Sequence, residues 1–237
     1  MSALQIPSFA IPTLAIAGTS DRFPVRRVFC VGRNYPWQAQ GASSASPREP
    51  LTYFMKPADA IVAAQGTIAY PPQTSDFCHE IEFVVAIGLD GASIEPAAVL
   101  SHVWGYAVGL DLTRRDLQAQ AKKGGQSWEA AKAFDASAPC SALLPVATLG
   151  HPRAGAIWLS VNGVERQRAA VADLIWPVQD IISAISHSVV LKAGDLIFTG
   201  TPSGVAALEP GDVVRGGVEG IADFTLTIGS RPPPEGA

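Results

Sequence analysis

Residues 76–88, DFCHEIEFVVAIG, place two carboxylates, Glu80 and Glu82, at the head of an otherwise apolar run. The β-branched and aromatic content of Phe83-Val84-Val85-Ala86-Ile87 predicts a strand, and Gly88 closes it. On a strand, residues two apart share a face, so Glu80 and Glu82 point the same way. Two adjacent carboxylates on an apolar strand repel each other and lose hydration. A divalent cation, an Arg or Lys, or open solvent can each compensate. The pair therefore demands a partner, and the rest of the chain must supply it.

Hydrophobic residues make up 48% of the 237-residue chain and charged residues 16%, enough apolar material for a sizeable core and too little charge for disorder. That length suits one large domain, residues 25–237, behind a short N-terminal appendage, residues 1–24. A formal net charge of −4 and the lack of a basic cluster argue against a nucleic-acid partner. No apolar run is long enough to span a bilayer, and the N-terminus lacks the early positive region of a signal peptide. Cys30, Cys78 and Cys140 are widely spaced and odd in number, as expected of buried thiols in a reducing compartment. A cytoplasmic enzyme is the expectation.

Taken in order, residues 1–24 are punctuated by proline and suggest a short strand pair lying over the body. Residues 25–31 read as a strand that delivers Gly32-Arg33-Asn34-Tyr35 at its end. Residues 36–50 are small, polar and bounded by proline, the composition of a lid loop. Residues 51–63 include Phe54-Met55-Lys56-Pro57, a strand with a lysine before a chain-turning proline. Residues 103–112 are a further apolar strand, with Asp111 near its end, and a charged helical pattern follows. Lys132 lies in a short segment, residues 128–134. Asn162-Gly163 marks a hairpin, because these residues reach positive φ cheaply. Residues 178–186 have helical amphipathicity, and residues 199–204 form a Gly- and Pro-rich turn. No repeat is evident. The pattern is α+β and strand-dominated.

A third carboxylate would turn the Glu80/Glu82 pair into a metal site, and Asp111 is the best placed. Three carboxylates and waters satisfy octahedral Mg²⁺ or Mn²⁺. Asp111 alone would equally serve as a helix cap.

The ordered set GRNY (32–35), FMKP (54–57), HEIE (79–82), LDLTRRDLQ (110–118), AKAFD (131–135) and TGTPSGV (199–205) resembles the fumarylacetoacetate hydrolase family. The resemblance spans roughly residues 25–228 and looks closest to the small branch of acylpyruvases and fumarylpyruvate hydrolases of aromatic-acid degradation. It implies a mixed β-sheet roll with short peripheral helices, assembled as a homodimer. It also implies that Glu80, Glu82 and Asp111 hold Mg²⁺ or Mn²⁺. By position, Lys132 would contact a substrate carbonyl or carboxylate. Tyr35, Arg115, Gln118 and Thr201 would line the pocket for a small keto acid, with Lys56 and Arg33 in support. In such a site the cation acts as a Lewis acid on an enolate leaving group, and hydrolysis needs a base to activate water.

Here the sequence departs from the resemblance. The hydrolytic members carry a His in the lid and, three residues on, a Glu. Counted without a gap, those positions hold Gln38 and Gly41. A neutral amide does not take up a proton at physiological pH, and glycine has no side chain. His79 should face the opposite side from Glu80 and support it from behind, and Glu129 precedes Lys132 by one possible helical turn. His102, His151 and His187 have no motif context. Three readings stay open. One is an acylpyruvate hydrolase with a rearranged base; another is a decarboxylase or keto–enol isomerase of a 2-keto acid; the last is a metal- and keto-acid-binding protein of weakened activity.

Overall fold

A computed structural model describes residues 9–36 and 48–231. The apolar run forms the strand Ile81–Ile87, and all of its residues are buried. It pairs antiparallel with Val103–Leu110 on one side and Asp195–Phe198 on the other. Asp195–Phe198 runs parallel to Arg27–Gly32, which carries Thr52–Lys56 antiparallel at the sheet edge. Beyond Val103–Leu110 lie Ala138–Cys140 and, parallel to it, Ile61–Ala63. With Leu144–Pro145 also pairing with Val103–Leu110, the sheet has eight strands of mixed direction. A strand covered on both faces reads as continuous apolar sequence. That is why residues 83–87 show no polar alternation.

The two faces of this sheet pack into different cores. Phe83, Val85 and Ile87 join the larger one, with Ile157, Leu159, Val214 and Leu226 of a second sheet and Ile181, Ile182 and Ile185 of the helix Val178–Ser188. Val84 and Ala86 face the smaller one, with Cys30, Leu196 and Phe198 and with Leu14, Phe23 and Val25 from the N-terminal segment. Leu14 and Phe23 lie on an antiparallel pair, Thr13–Ala15 and Arg22–Pro24. Each such buried side chain contributes about 1.5–3 kcal/mol. The architecture is the expected strand-dominated α+β roll with short helices.

The second sheet has five strands in the order Val164–Ala170, Ala156–Val161, Val213–Val218, Ala222–Ile228 and Gln65–Ile68. Its hairpin turns at Asn162 (φ 51°) and Gly163 (φ 79°), the left-handed pair that matches strand twist. The resulting register sets Gln167 opposite the buried Leu159. Cys30, Cys78 and Cys140 are free and buried, as their spacing implied. Among the described residues no helix is long and apolar enough to cross a membrane.

Candidate functional site

Glu80 immediately precedes the strand Ile81–Ile87, and Glu82 is its second residue. The neighbouring strand ends at Leu110, and the Asp111 N–H donates to the Glu80 carbonyl at 2.9 Å. Main-chain pairing therefore brings Asp111 beside the two glutamates. Oxygens of Glu80, Glu82 and Asp111 lie within 4.8 Å of one another, and all three residues are buried. Burial removes open solvent from the possible compensations for the glutamate pair.

Lysines supply part of the balance. Lys132, at the end of the single helical turn Glu129–Lys132, places Nζ 2.8 Å from Glu80 Oε2 and 2.7 Å from Asp111 Oδ2, and also donates to Thr113 Oγ1. All three of its hydrogens are directed at the site's own walls, so its role is to brace the carboxylates; the substrate contact expected of it is not its resting arrangement. Lys56 Nζ lies 2.9 Å from Asp111 Oδ1 and donates to the carbonyls of Leu112, at 3.1 Å, and Lys132. Lys56 is thus a wall residue too. Burial tends to raise the Asp111 pKa, but the Lys132 and Lys56 ammoniums outweigh it and hold this carboxyl below its usual range. Burial tends to lower Lys132, but the Asp111 and Glu80 carboxylates win and raise it, keeping it charged. Burial raises Glu80, against the pull of Lys132.

Glu82 is different. Among the described residues no ammonium or guanidinium pairs with it; its Oε2 accepts the Gly200 N–H at 2.7 Å. Burial, then the charges of Asp111 and Glu80, push it well above the usual carboxylate range. Gly200 has a φ of 101°, and a Cβ there would lie 2.7 Å from Asn34 Cβ, so the loop can reach Glu82 only with glycine at this position. Asn34 is fully buried and ties that loop down. Its Nδ2 donates to the carbonyls of Thr199, at 2.7 Å, and Trp176, at 3.0 Å, while Oδ1 accepts the Trp176 N–H at 2.6 Å.

The remaining expected residues divide into those beside the triad and those away from it. Arg115, Gln118 and Lys122 share a face of the helix Arg115–Gly124. Arg115 Nη1 is 3.7 Å from Glu80 Oε1, and Gln118 Oε1 accepts from Lys122 Nζ at 3.2 Å. Tyr35 is buried with its hydroxyl unpartnered, and burial, then the Glu82 charge, raises its pKa. Thr201 follows Gly200 and is half-buried. Arg33, expected in support, instead has its side chain 78% exposed and lies 3.8 Å from Glu49. Glu129 is exposed. His79 points its Nδ1 at Gln167 Oε1, 2.8 Å away. His102, His151 and His187 bond to Leu89, Tyr106 and Ser183. Gln38 and Gly41 lie outside the described residues.

One buried residue lies outside every motif of the sequence. Gln167, the single buried position of Val164–Ala170, reaches across from the second sheet to Ile81 N and to Thr201. A glutamine opposite an inward-facing leucine in the hairpin register was the available clue.

The donor set fits a divalent cation. It is all oxygen, as hard cations require; among the described residues Glu82 has no counter-cation, and Asp111 Oδ1 takes no hydrogen bond of good geometry. Among the buried groups, three carboxylates against two ammoniums leave one formal negative charge.

The chain belongs to the fumarylacetoacetate hydrolase family, whose model for the Fumarylacetoacetate (FAA) hydrolase C-terminal region matches residues 27–228. A fumarylpyruvate hydrolase from a Ralstonia species is 42% identical over 181 residues, 76% of this chain and 94% of that protein. An oxaloacetate tautomerase of Escherichia coli is also 42% identical, over 80% of this chain and 87% of its own. The crystal structure of fumarylpyruvate hydrolase from Pseudomonas aeruginosa, in complex with Mn²⁺ and pyruvate, superposes with a TM-score of 0.92. It is 44% identical, with 97% of this chain and 100% of that one covered.

Proposed function

We propose that this protein is a divalent-metal enzyme that binds a 2-keto acid anion and stabilises its enolate, with acylpyruvate cleavage of the fumarylpyruvate type as its reaction. The observation that carries the reading is Glu82, a buried carboxylate beside two others that no ammonium or guanidinium among the described residues pairs with. Glu80, Glu82 and Asp111 would hold Mg²⁺ or Mn²⁺, which supplies Lewis-acid polarisation of the keto oxygen. Adding two charges to the cluster turns its formal −1 into +1, so the occupied centre attracts an anion. Arg115 adds a further positive charge at the Glu80 side. Lys132, kept protonated by the two carboxylates, maintains positive potential where enolate charge develops. Tyr35, Gln118 and Thr201 offer neutral donors for the substrate carboxylate and carbonyl. The named relatives, a fumarylpyruvate hydrolase and an oxaloacetate tautomerase, share a 2-keto acid whose enolate must be accommodated.

Keto–enol isomerisation, with oxaloacetate as the type substrate, is a second reading, and the sequence favours it at one place. Gln38 and Gly41 stand where the resemblance calls for a His and a Glu to activate water. Isomerisation requires no water attack. Product analysis separates the two. Purified protein with Mg²⁺ or Mn²⁺ is given fumarylpyruvate, and in parallel enol-oxaloacetate. Fumarate and pyruvate in equal amounts support hydrolysis. Acceleration of the enol-to-keto conversion alone supports isomerisation, and neither product in either assay overturns the enzymatic proposal.

A further inference from the structure

Gln167 is 1% exposed, and its amide has four neighbours. Oε1 accepts the Ile81 N–H at 3.2 Å and lies 2.8 Å from His79 Nδ1. Nε2 donates to Thr201 Oγ1 at 2.9 Å and to the Pro202 carbonyl at 2.7 Å. Two of these neighbours have fixed polarity. A backbone N–H can only donate, and a proline carbonyl can only accept. They fix which end of the amide is oxygen and which is nitrogen.

Two consequences follow for the groups whose hydrogens could otherwise go either way. His79 must carry its proton on Nδ1, because its neighbour there is an acceptor. Thr201 Oγ1 receives a hydrogen bond from Gln167, so its own hydrogen is turned away from that amide. Thr201 is the residue after Gly200, whose N–H binds Glu82 Oε2. Its hydroxyl therefore gives a lone pair to Gln167 and keeps its hydrogen for another acceptor, one residue from the N–H that meets Glu82.

We infer that Gln167 is a positioning residue that holds the Thr201 hydroxyl as a hydrogen-bond donor toward an anionic ligand at the Glu80/Glu82/Asp111 centre. The chemistry of that ligand, a keto-acid carboxylate or its enolate, rests on the function proposed above. A hydroxyl oriented in advance needs no rearrangement when negative charge arrives. The same amide anchors the Ile81 N–H between Glu80 and Glu82, so one side chain in the second sheet sets both the carboxylate strand and the donor facing it.

The test uses the full chain loaded with Mn²⁺ and titrated calorimetrically with oxalate, a planar dianion with the geometry of a pyruvate enolate. Gln167→Glu puts an acceptor where the amide donates and draws the Thr201 hydrogen back onto itself. Gln167→Met removes the donor without adding charge, and serves where Gln167→Glu does not fold. Thr201→Val removes the hydroxyl. Because a hydrogen bond to a charged group is at stake, each single variant should bind oxalate on the order of 10–100-fold more weakly, with a smaller change in Mn²⁺ affinity. The double variant should be no weaker than Thr201→Val alone, since both changes remove one interaction. A folded Gln167 variant with the parental oxalate affinity, or a double variant whose losses add, overturns the inference alone. A parent that binds Mn²⁺ but no oxalate overturns the keto-acid reading and the donor role together.

Discussion

The two sides of the acidic cluster are held by different physics. On one side, Glu80 and Asp111 are braced by the full charges of Lys132 and Lys56, delivered by a helical turn and an edge strand. On the other, Glu82 is met by the Gly200 N–H, on a loop secured by Asn34 and Gln167. Ion pairs compensate buried charge strongly, but removing one partner strands the other. A backbone dipole compensates less and leaves the carboxylate in need of a cation. The lysine side accounts for the stability of the site without metal, and the loop side accounts for its appetite for one.

The largest effect should come from breaking the lysine side. Lys132→Met leaves two buried carboxylates without their shared ammonium, which typically costs about 3–5 kcal/mol. Denaturant unfolding without metal should register that loss, and saturating Mn²⁺ should recover part of it. Turnover should fall on the order of 10²–10³-fold, because positive charge near the developing enolate is removed. A variant as stable as the parent in metal-free buffer would show that Lys132 does not compensate the cluster.

On the loop side, Glu82→Gln should act in the opposite direction on stability. The amide keeps an oxygen for the Gly200 N–H and removes a buried charge that lacks a counter-ion. Metal-free protein should gain about 1–2 kcal/mol, the scale of relieving an uncompensated buried group, and the rise in melting temperature on adding Mn²⁺ should disappear. If Glu82→Gln melts earlier than the parent without metal, the two sides of the cluster do not differ in this way.

Asn34→Ala sharpens the comparison at the loop's anchor. It strands the Trp176 N–H and two carbonyls in the interior, and each lost buried partner costs about 1–3 kcal/mol, reduced where water enters the cavity. The expected result is about 2–3 kcal/mol of lost stability and a raised KM, with metal affinity changed less than by Glu82→Gln. Parental stability would mean that the loop is held by other contacts.

The difference between the two sides also explains what could be read from the sequence. Glu80, Glu82 and Asp111 are conspicuous because charges interrupt apolar strands, and Lys132 and Lys56 because lysines stand beside a turn or proline. Their association follows from adjacent antiparallel strands, a short-range inference. Their pairing is harder to read: the resemblance has Lys132 contact substrate with Lys56 in support, and only the folded geometry shows both ammoniums against carboxylates and carbonyls. The loop side depends on contacts between distant segments. Asn34 meets Thr199 and Trp176 because Arg27–Gly32 runs parallel to Asp195–Phe198, a register with no local signature. Gln167 reaches Ile81 from another sheet. Neutral amides in a hairpin look like surface residues until the register turns them inward.

The smallest effect should be at Glu129, which begins the turn that carries Lys132. Sequence spacing made it a possible substitute for the missing lid base, since one helical turn separates it from Lys132. Its side chain is exposed to solvent, whereas that of Lys132 is buried and bonded to the carboxylates. A base must come within hydrogen-bond reach of the proton it removes, directly or through one water. Glu129→Ala should therefore leave the turnover of fumarylpyruvate or oxaloacetate within about twofold of the parent, against the 10²–10⁴-fold loss typical of removing a general base. A loss of that larger size would bring Glu129 into the chemistry, and the turn Glu129–Lys132 would then have to rearrange when substrate binds.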